Sequence, residues 1–141
     1  MTTKPIMPLR ISSSPDESQA TIRALIQANL LSVFNERDET ARKACIQSIY
    51  GEDIVWYEAD NDVRTGYAAL NRRVGELLGE NPAFAFRLQG DTVVAQNLGI
   101  QNWSFGPPVE PDLIKGTDVI IVQDGRVRAL WTAVTKGPVL R

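Results

Sequence analysis

The chain has no histidine and a single cysteine among its 141 residues, and these two absences exclude a good deal of chemistry. Without imidazole there is no Ser-His-Asp or Cys-His catalysis, and nearly every zinc site built on histidine is excluded as well. The lone Cys45 rules out an internal disulfide and fits a reducing compartment, so the simplest localisation is cytoplasmic. No apolar run approaches the roughly 18–20 residues that a membrane-spanning helix needs, and a membrane is not an expected partner. Pro5, Pro8 and Arg10 interrupt any apolar core near the start, unlike a secretory signal. Strong charge is missing too: 15 basic against 17 acidic residues leave a net charge of −2, which gives nucleic acid nothing to bind. Acid–base chemistry is therefore left to carboxylates, tyrosine, lysine or water.

What is present suits one globular domain, with 43 % hydrophobic and 23 % charged residues and enough length for a single substantial core. Residues 1–13 read as an arm without periodicity, and residues 136–141 as a tail. Ser14-Pro15-Asp16-Glu17 has the form of a helix start, with serine as cap and proline at the first helical position. Apolar residues then recur at Ile22, Leu25, Ile26, Leu30, Val33 and Phe34, with Asn29 as the polar exception on that face. A second helix carries Ala41, Ala44, Cys45 and Ile49, and Cys45 is read as packing. A strand is expected over 53–59, and a third helix from Thr65-Gly66 carries Leu70, Val74, Leu77 and Leu78. Arg72-Arg73 is read as its solvated face.

Beyond Pro82 the pattern changes to alternation, with strands expected over 83–89, 92–105, 113–123 and 126–135. Gly90-Asp91 is expected to turn the chain between the first two of these strands. Gln123-Asp124-Gly125 should turn it between the last two, where asparagine- or aspartate-glycine pairs favour hairpins. Helices first and a meander later imply an α+β domain whose sheet wraps the helices. One oddity stands in the last hairpin: Asp118 interrupts an apolar run, where a carboxylate either faces water or enters a cavity at considerable cost.

The layout and several local marks resemble the SnoaL-like branch of the nuclear transport factor two-like superfamily over about residues 14–135. The marks are Phe34-Asn35-Glu36-Arg37-Asp38, Gly51 to Glu58, Thr65-Gly66 with Ala69-Leu70, Trp103, and the hairpin from Gly116-Thr117-Asp118 to Asp124-Gly125-Arg126-Val127. The resemblance implies a cone-shaped α+β fold: a strongly curved mixed or antiparallel sheet on three helices, enclosing a deep apolar pocket and commonly dimerising through its outer face. Compared with the isomerases of that superfamily, Glu58 stands where a proton-transferring aspartate lies. Asp118 stands where a protonated aspartate donates to the substrate oxygen. The tyrosine that completes that oxyanion hole aligns near Leu30, which cannot donate, and this departure counts against steroid isomerisation itself.

Strand alternation places Ile54, Trp56 and Glu58 on one face, and Asp118, Ile120 and Val122 on one face of another strand. If both look inward, Asp118 and Glu58 form a workable acid–base pair in a dry pocket, because burial raises a carboxyl pKa. The bland alternative leaves Glu58 in solvent at a strand end and pairs Asp118 with an arginine. Leu30, Phe34, Trp56, Trp103, Ile120 and Trp131 are the expected ligand walls. Tyr50 near the mouth could donate to the ligand or cap the second helix, and the cap is favoured. Tyr57 alternates outward, toward sheet or dimer surface. Asp60-Asn61-Asp62 lacks the glycine and distal glutamate of a calcium loop and reads as a turn, so neither metal nor cofactor is expected.

The expectation is a cofactor-independent enzyme that moves protons on a hydrophobic, cyclic or aromatic small molecule, as an isomerase, cyclase, dehydratase or hydrolase. The alternative is a ligand-binding or dimeric interaction module of the same fold. A homodimer through the outer sheet face is expected in either case.

Overall fold

The structure is a computed structural model and describes residues 18–141. Helix α1 (Gln19–Ala28) starts at Ser18, whose hydroxyl accepts from the Thr21 N–H at 3.1 Å; the cap expected at Ser14, and the arm before it, lie outside the described residues. Its apolar stripe buries Ile22 and Ile26 completely and continues into a single π-helical turn, Asn29–Phe34. There the Asn35 N–H reaches back five residues to the Leu30 carbonyl at 3.0 Å. Such widened turns are rare and recur at functional sites. Four residues of this one are buried: Asn29, Leu30, Val33 and Phe34.

The segment after the π turn is a set of clamps. Asn35 exchanges two hydrogen bonds with the Phe86 backbone, at 2.8 and 2.7 Å, while Arg37 donates to the carbonyls of Leu78, Asn81 and Phe84. Asp38 then caps α2 (Glu39–Ile49) by accepting from the Ala41 N–H at 2.8 Å. Cys45 is a free thiol packed against the core.

Strand β1 (Tyr50–Tyr57) follows α2 directly, and a short strand β2 (Val63–Thr65) that the sequence reading missed pairs with it. Helix α3 (Tyr67–Glu80) starts after Gly66, which sits at φ +88°. It runs on through Gly79 to Glu80.

Strands β3 (Ala85–Ala95), β4 (Leu98–Gly106), β5 (Ile114–Gln123) and β6 (Arg126–Lys136) complete the sheet. The turn expected at Gly90-Asp91 is instead a bulge inside β3. Gly90 takes φ +69° there, the pairing slips between Gln89 and Val93, and the chain reverses only at Gln96-Asn97.

The strands lie in the order β2-β1-β6-β5-β4-β3, with β1 parallel to β6 and every other pair antiparallel. This is an open, mixed sheet with β2 and β3 as its edges. Bulges near Gly116 and Val122 add local bends to β5. Ile22, Ile26, Leu70, Val74, Ile120 and Leu130, each at most 1 % exposed, make up the centre of the single core between sheet and helices. Among the described residues no helix is long and apolar enough to cross a membrane.

Candidate active site

The core is incomplete at one end of the sheet, where a pocket opens between the π turn, the end of β1 and the inner faces of β4, β5 and β6. Its wall is almost entirely apolar: Leu30 and Phe34 from the π turn, Trp56 from β1, Leu77 from α3, Phe86 from β3, Trp103 and Phe105 from β4. Pro138 and Leu140, beyond the end of β6, close the mouth. The space open to the centre of a water molecule is about 50 Å³, room for a few waters or the end of a small molecule. Asp118, Glu58 and Thr132 bring polar side chains to this wall.

Asp118 lies on β5 opposite Thr132 of β6 and Gln101 of β4, and is 2 % exposed. Its Oδ1 accepts from the Trp103 indole N–H at 2.9 Å and from the Thr132 hydroxyl at 3.0 Å, and its Oδ2 accepts from the Asn29 amide at 2.8 Å. Each donor is itself held. The Trp56 indole donates to the Thr132 hydroxyl at 3.0 Å, and the Tyr50 hydroxyl donates to the Asn29 amide oxygen. Trp103 can lie over β5 because its register partner is Gly116, where an added Cβ would come within 2.2 Å of the indole ring. Burial raises the Asp118 carboxyl to about 6, against the three donors, which favour the ionised form. Burial, with the Asp118 charge second, pushes the Tyr50 phenol well above its ordinary value, so it stays a donor.

Glu58 stands just beyond β1 on the same face as Trp56 and is also buried, but among charges. Arg73 Nε donates to its Oε1 at 2.7 Å and Arg64 Nε to its Oε2. Arg64 also lies 3.4 Å from Asp60 and 3.3 Å from Asp62, so the acidic loop faces an arginine. Arg73 Nη2 holds the Leu140 carbonyl at 2.9 Å, tying the mouth of the pocket to the same cluster.

The two carboxylates therefore line one pocket, and neither bland alternative holds: Glu58 is not in solvent, and Asp118 has neutral partners rather than an arginine. Leu30, Phe34, Trp56 and Trp103 also lie in the wall. The other three expected wall residues do not. Trp131 projects from the opposite face of the sheet, 38 % exposed and stacked on Tyr57 with ring centroids 4.9 Å apart, because alternation sends Thr132 inward and its neighbour outward. Ile120 is two residues along β5 from Asp118, under α1 beside Ile22 and Ile26 at Gly99. Tyr50 is fully buried behind the wall. Its backbone N–H closes the last turn of α2 on Ile46, but its hydroxyl serves Asn29, not a ligand or the helix.

The sequence reading missed Asn29, Thr132, Arg64 and Arg73. Asn29 carried a signal as the one polar residue on an apolar stripe. Arg73 carried a weaker one, three residues after Leu70 and four before Leu77, so that only Arg72 of the pair is exposed.

No protein family's sequence profile matches the chain, and no curated protein matches it. In fold it is similar to many solved proteins. A candidate isomerase of the SnoaL-like family from Agrobacterium tumefaciens is 19 % identical, superposing over 82 % of this chain and 98 % of the other with a TM-score of 0.75. A nuclear transport factor two-like protein of unknown function from Mesorhizobium loti is also 19 % identical, over 89 % and 99 % of the chains, with a TM-score of 0.64. An LEH-like epoxide hydrolase from Mycobacterium tuberculosis is 11 % identical over 82 % and 83 %, with a TM-score of 0.57. The chain has the α+β cone fold of the SnoaL-like and nuclear transport factor two-like proteins, a fold that hosts more than one chemistry.

Proposed function

We propose that the protein is a cofactor-independent enzyme that binds an apolar small molecule in this pocket and uses Asp118 as its proton-transferring group. One observation carries the reading: a buried carboxyl, raised to about 6 by that burial, lies in an aromatic wall, fixed by three donors and sharing its pocket with no basic residue among the described ones. A group with that pKa is poised to accept and return a proton near neutral pH. The fold's occurrence in proteins described as isomerase, polyketide cyclase and epoxide hydrolase supports the general class. In this reading Glu58 anchors the mouth through Arg64 and Arg73 rather than acting as the second half of an acid–base pair. The exposed Tyr57, Val63 and Trp131 of the outer face support self-association there, which sedimentation at micromolar concentration tests.

The test of the activity is deuterium uptake from D2O into a panel of small apolar ketones, followed by proton NMR. Wild type should exchange α-protons above the buffer rate, and Asp118→Asn should lose at least about 100-fold of that rate, the usual range for a general base. Ligand binding without exchange in any member of the panel would leave a binding module.

A further inference from the structure

The charges around the pocket do not balance, and the imbalance specifies a ligand. Glu58 and Asp118 are the ionisable side chains in the wall. Glu58 is matched by Arg73 and Arg64 within hydrogen-bond reach. For Asp118, no lysine or arginine among the described residues lies within ion-pairing distance; its partners are an indole, an amide and a hydroxyl. These three donors stabilise the ionised carboxylate without neutralising it. They also leave it room to accept, since Oδ1 takes two hydrogen bonds and Oδ2 only one, and each carboxylate oxygen has two acceptor positions.

We propose that the pocket selects ligands carrying a protonated nitrogen on a small apolar body, with Asp118 as the counter-ion of that nitrogen. The assignment rests on Asp118 facing the ligand, as in the function proposed above, and adds the charge of the ligand to it. A cation placed against the Asp118 carboxylate forms a charge-assisted hydrogen bond, stronger than one from a neutral hydroxyl, and it does so in a largely buried wall where water screens little. Phe34, Trp56, Phe86 and Trp103 supply aromatic surface, which attracts cations and accepts alkyl groups equally well. An anionic ligand would meet two carboxylates and, among the described residues, no cation in the wall, so the pocket disfavours it. At pH 8 the carboxyl, with its pKa of about 6, is ionised, and at pH 5 it is mostly protonated. Groups facing Asp118 from its neighbours are uncharged: Trp103 and Gln101 on β4, Thr132 on β6, Asn29 on the π turn and, behind it, Tyr50 on β1. The pH arm therefore reads Asp118, with Glu58, held by Arg64 and Arg73, as the other charge in the wall among the described residues.

The three tryptophans make the test internally controlled. Trp56 and Trp103 line the pocket, and Trp131 lies on the outer face. In protein labelled with ¹⁵N, their indole N–H signals are followed during titration with isobutylammonium, isobutanol and isobutyrate, which share one apolar body. At pH 8, isobutylammonium should shift Trp103 and Trp56 with a Kd at least tenfold below that of isobutanol, and isobutyrate should shift neither. The advantage of the ammonium should vanish at pH 5, and also in Asp118→Asn. The pH arm needs no variant and holds even if that substitution fails to fold. Equal Kd values at pH 8, an advantage that survives at pH 5, parallel shifts of Trp131, or no shift by any probe would each overturn the assignment. Isobutanol binding as tightly as the ammonium, alongside Asp118-dependent deuterium exchange in the ketone panel, would remove the cation preference and leave the proton-transfer function standing. An ammonium preference without exchange would do the reverse.

Discussion

Asp118 and Glu58 are two buried carboxylates in one pocket wall, and the protein treats them in opposite ways. Among the described residues Asp118 is held only by neutral donors, each fixed by a neighbour, whereas Glu58 is gripped by two guanidinium groups that also reach Asp60 and the Leu140 carbonyl. A carboxylate gripped by arginines ties chain segments together. A carboxylate surrounded by neutral donors keeps the option of taking up a proton. Burial alone therefore does not mark a reactive acid; the charge of its partners does.

The sharpest way to break this contrast is to neutralise each acid in turn. Asp118→Asn should abolish proton transfer, with a loss of about 100- to 10,000-fold in the exchange assay. Glu58→Gln should lower activity only in step with the fraction folded, so its rate per folded molecule stays near wild type. Equal losses per folded molecule in both variants would make them a working pair and erase the distinction.

Stability should invert that ranking. Arg73 is 3 % exposed at its side chain, and Arg73→Met removes one guanidinium from Glu58 and the donor from Leu140. Breaking a buried pair from one side costs about 3–5 kcal/mol, which urea unfolding would measure. The same experiment across pH reads Asp118. Its folded carboxyl holds a proton up to about pH 6, whereas an unfolded aspartate releases it near its model value of 3.8. Between those values the folded state binds more protons, so Asp118 removes stability as the pH rises through the window, by about 3 kcal/mol at most. Subtracting the Asp118→Asn profile from that of wild type should isolate the loss, and a flat difference would mean that Asp118 titrates normally.

How much of this contrast was legible in the sequence follows from the range of each interaction. Alternation along β1 and β5 grouped Glu58 with Trp56 and Asp118 with Ile120, because strand periodicity is local, and left open whether those faces look inward. The same rule, applied to Trp131, pointed outward once Thr132 was known to face the carboxylate; the ring had been expected inside because aromatic residues on strands suggest a wall. What the sequence could not show is who sits beside each acid. Arg73 reaches Glu58 from α3, and Asn29 reaches Asp118 across 89 positions of sequence, and these meetings exist only in the fold. Arg72-Arg73 read as a solvated pair because one of the two is. Gly116 looked like part of a family mark, and its reason is steric: only a residue without a side chain leaves room for the Trp103 indole.

The smallest change should fall on the least direct partner. Tyr50 never touches Asp118; it donates to the Asn29 oxygen and thereby keeps the Asn29 amide N–H₂ turned toward the carboxylate. In Tyr50→Phe the Asn29 oxygen loses its donor, and a buried acceptor left without one costs about 1–3 kcal/mol. The more telling effect is on Asp118. Asn29 becomes free to rotate and present its oxygen, which accepts from a protonated carboxyl and repels an ionised one. Asp118 should then titrate above its value of about 6, while the Glu58 signal stays where it was, since its partners are untouched. Carboxyl-carbon NMR on the same sample reads both. If Asp118 does not move, Trp103 and Thr132 suffice to fix its charge, and Tyr50 is only filling space behind the wall. If both acids move together, the two halves of the pocket are coupled and the contrast between them fails at its weakest point.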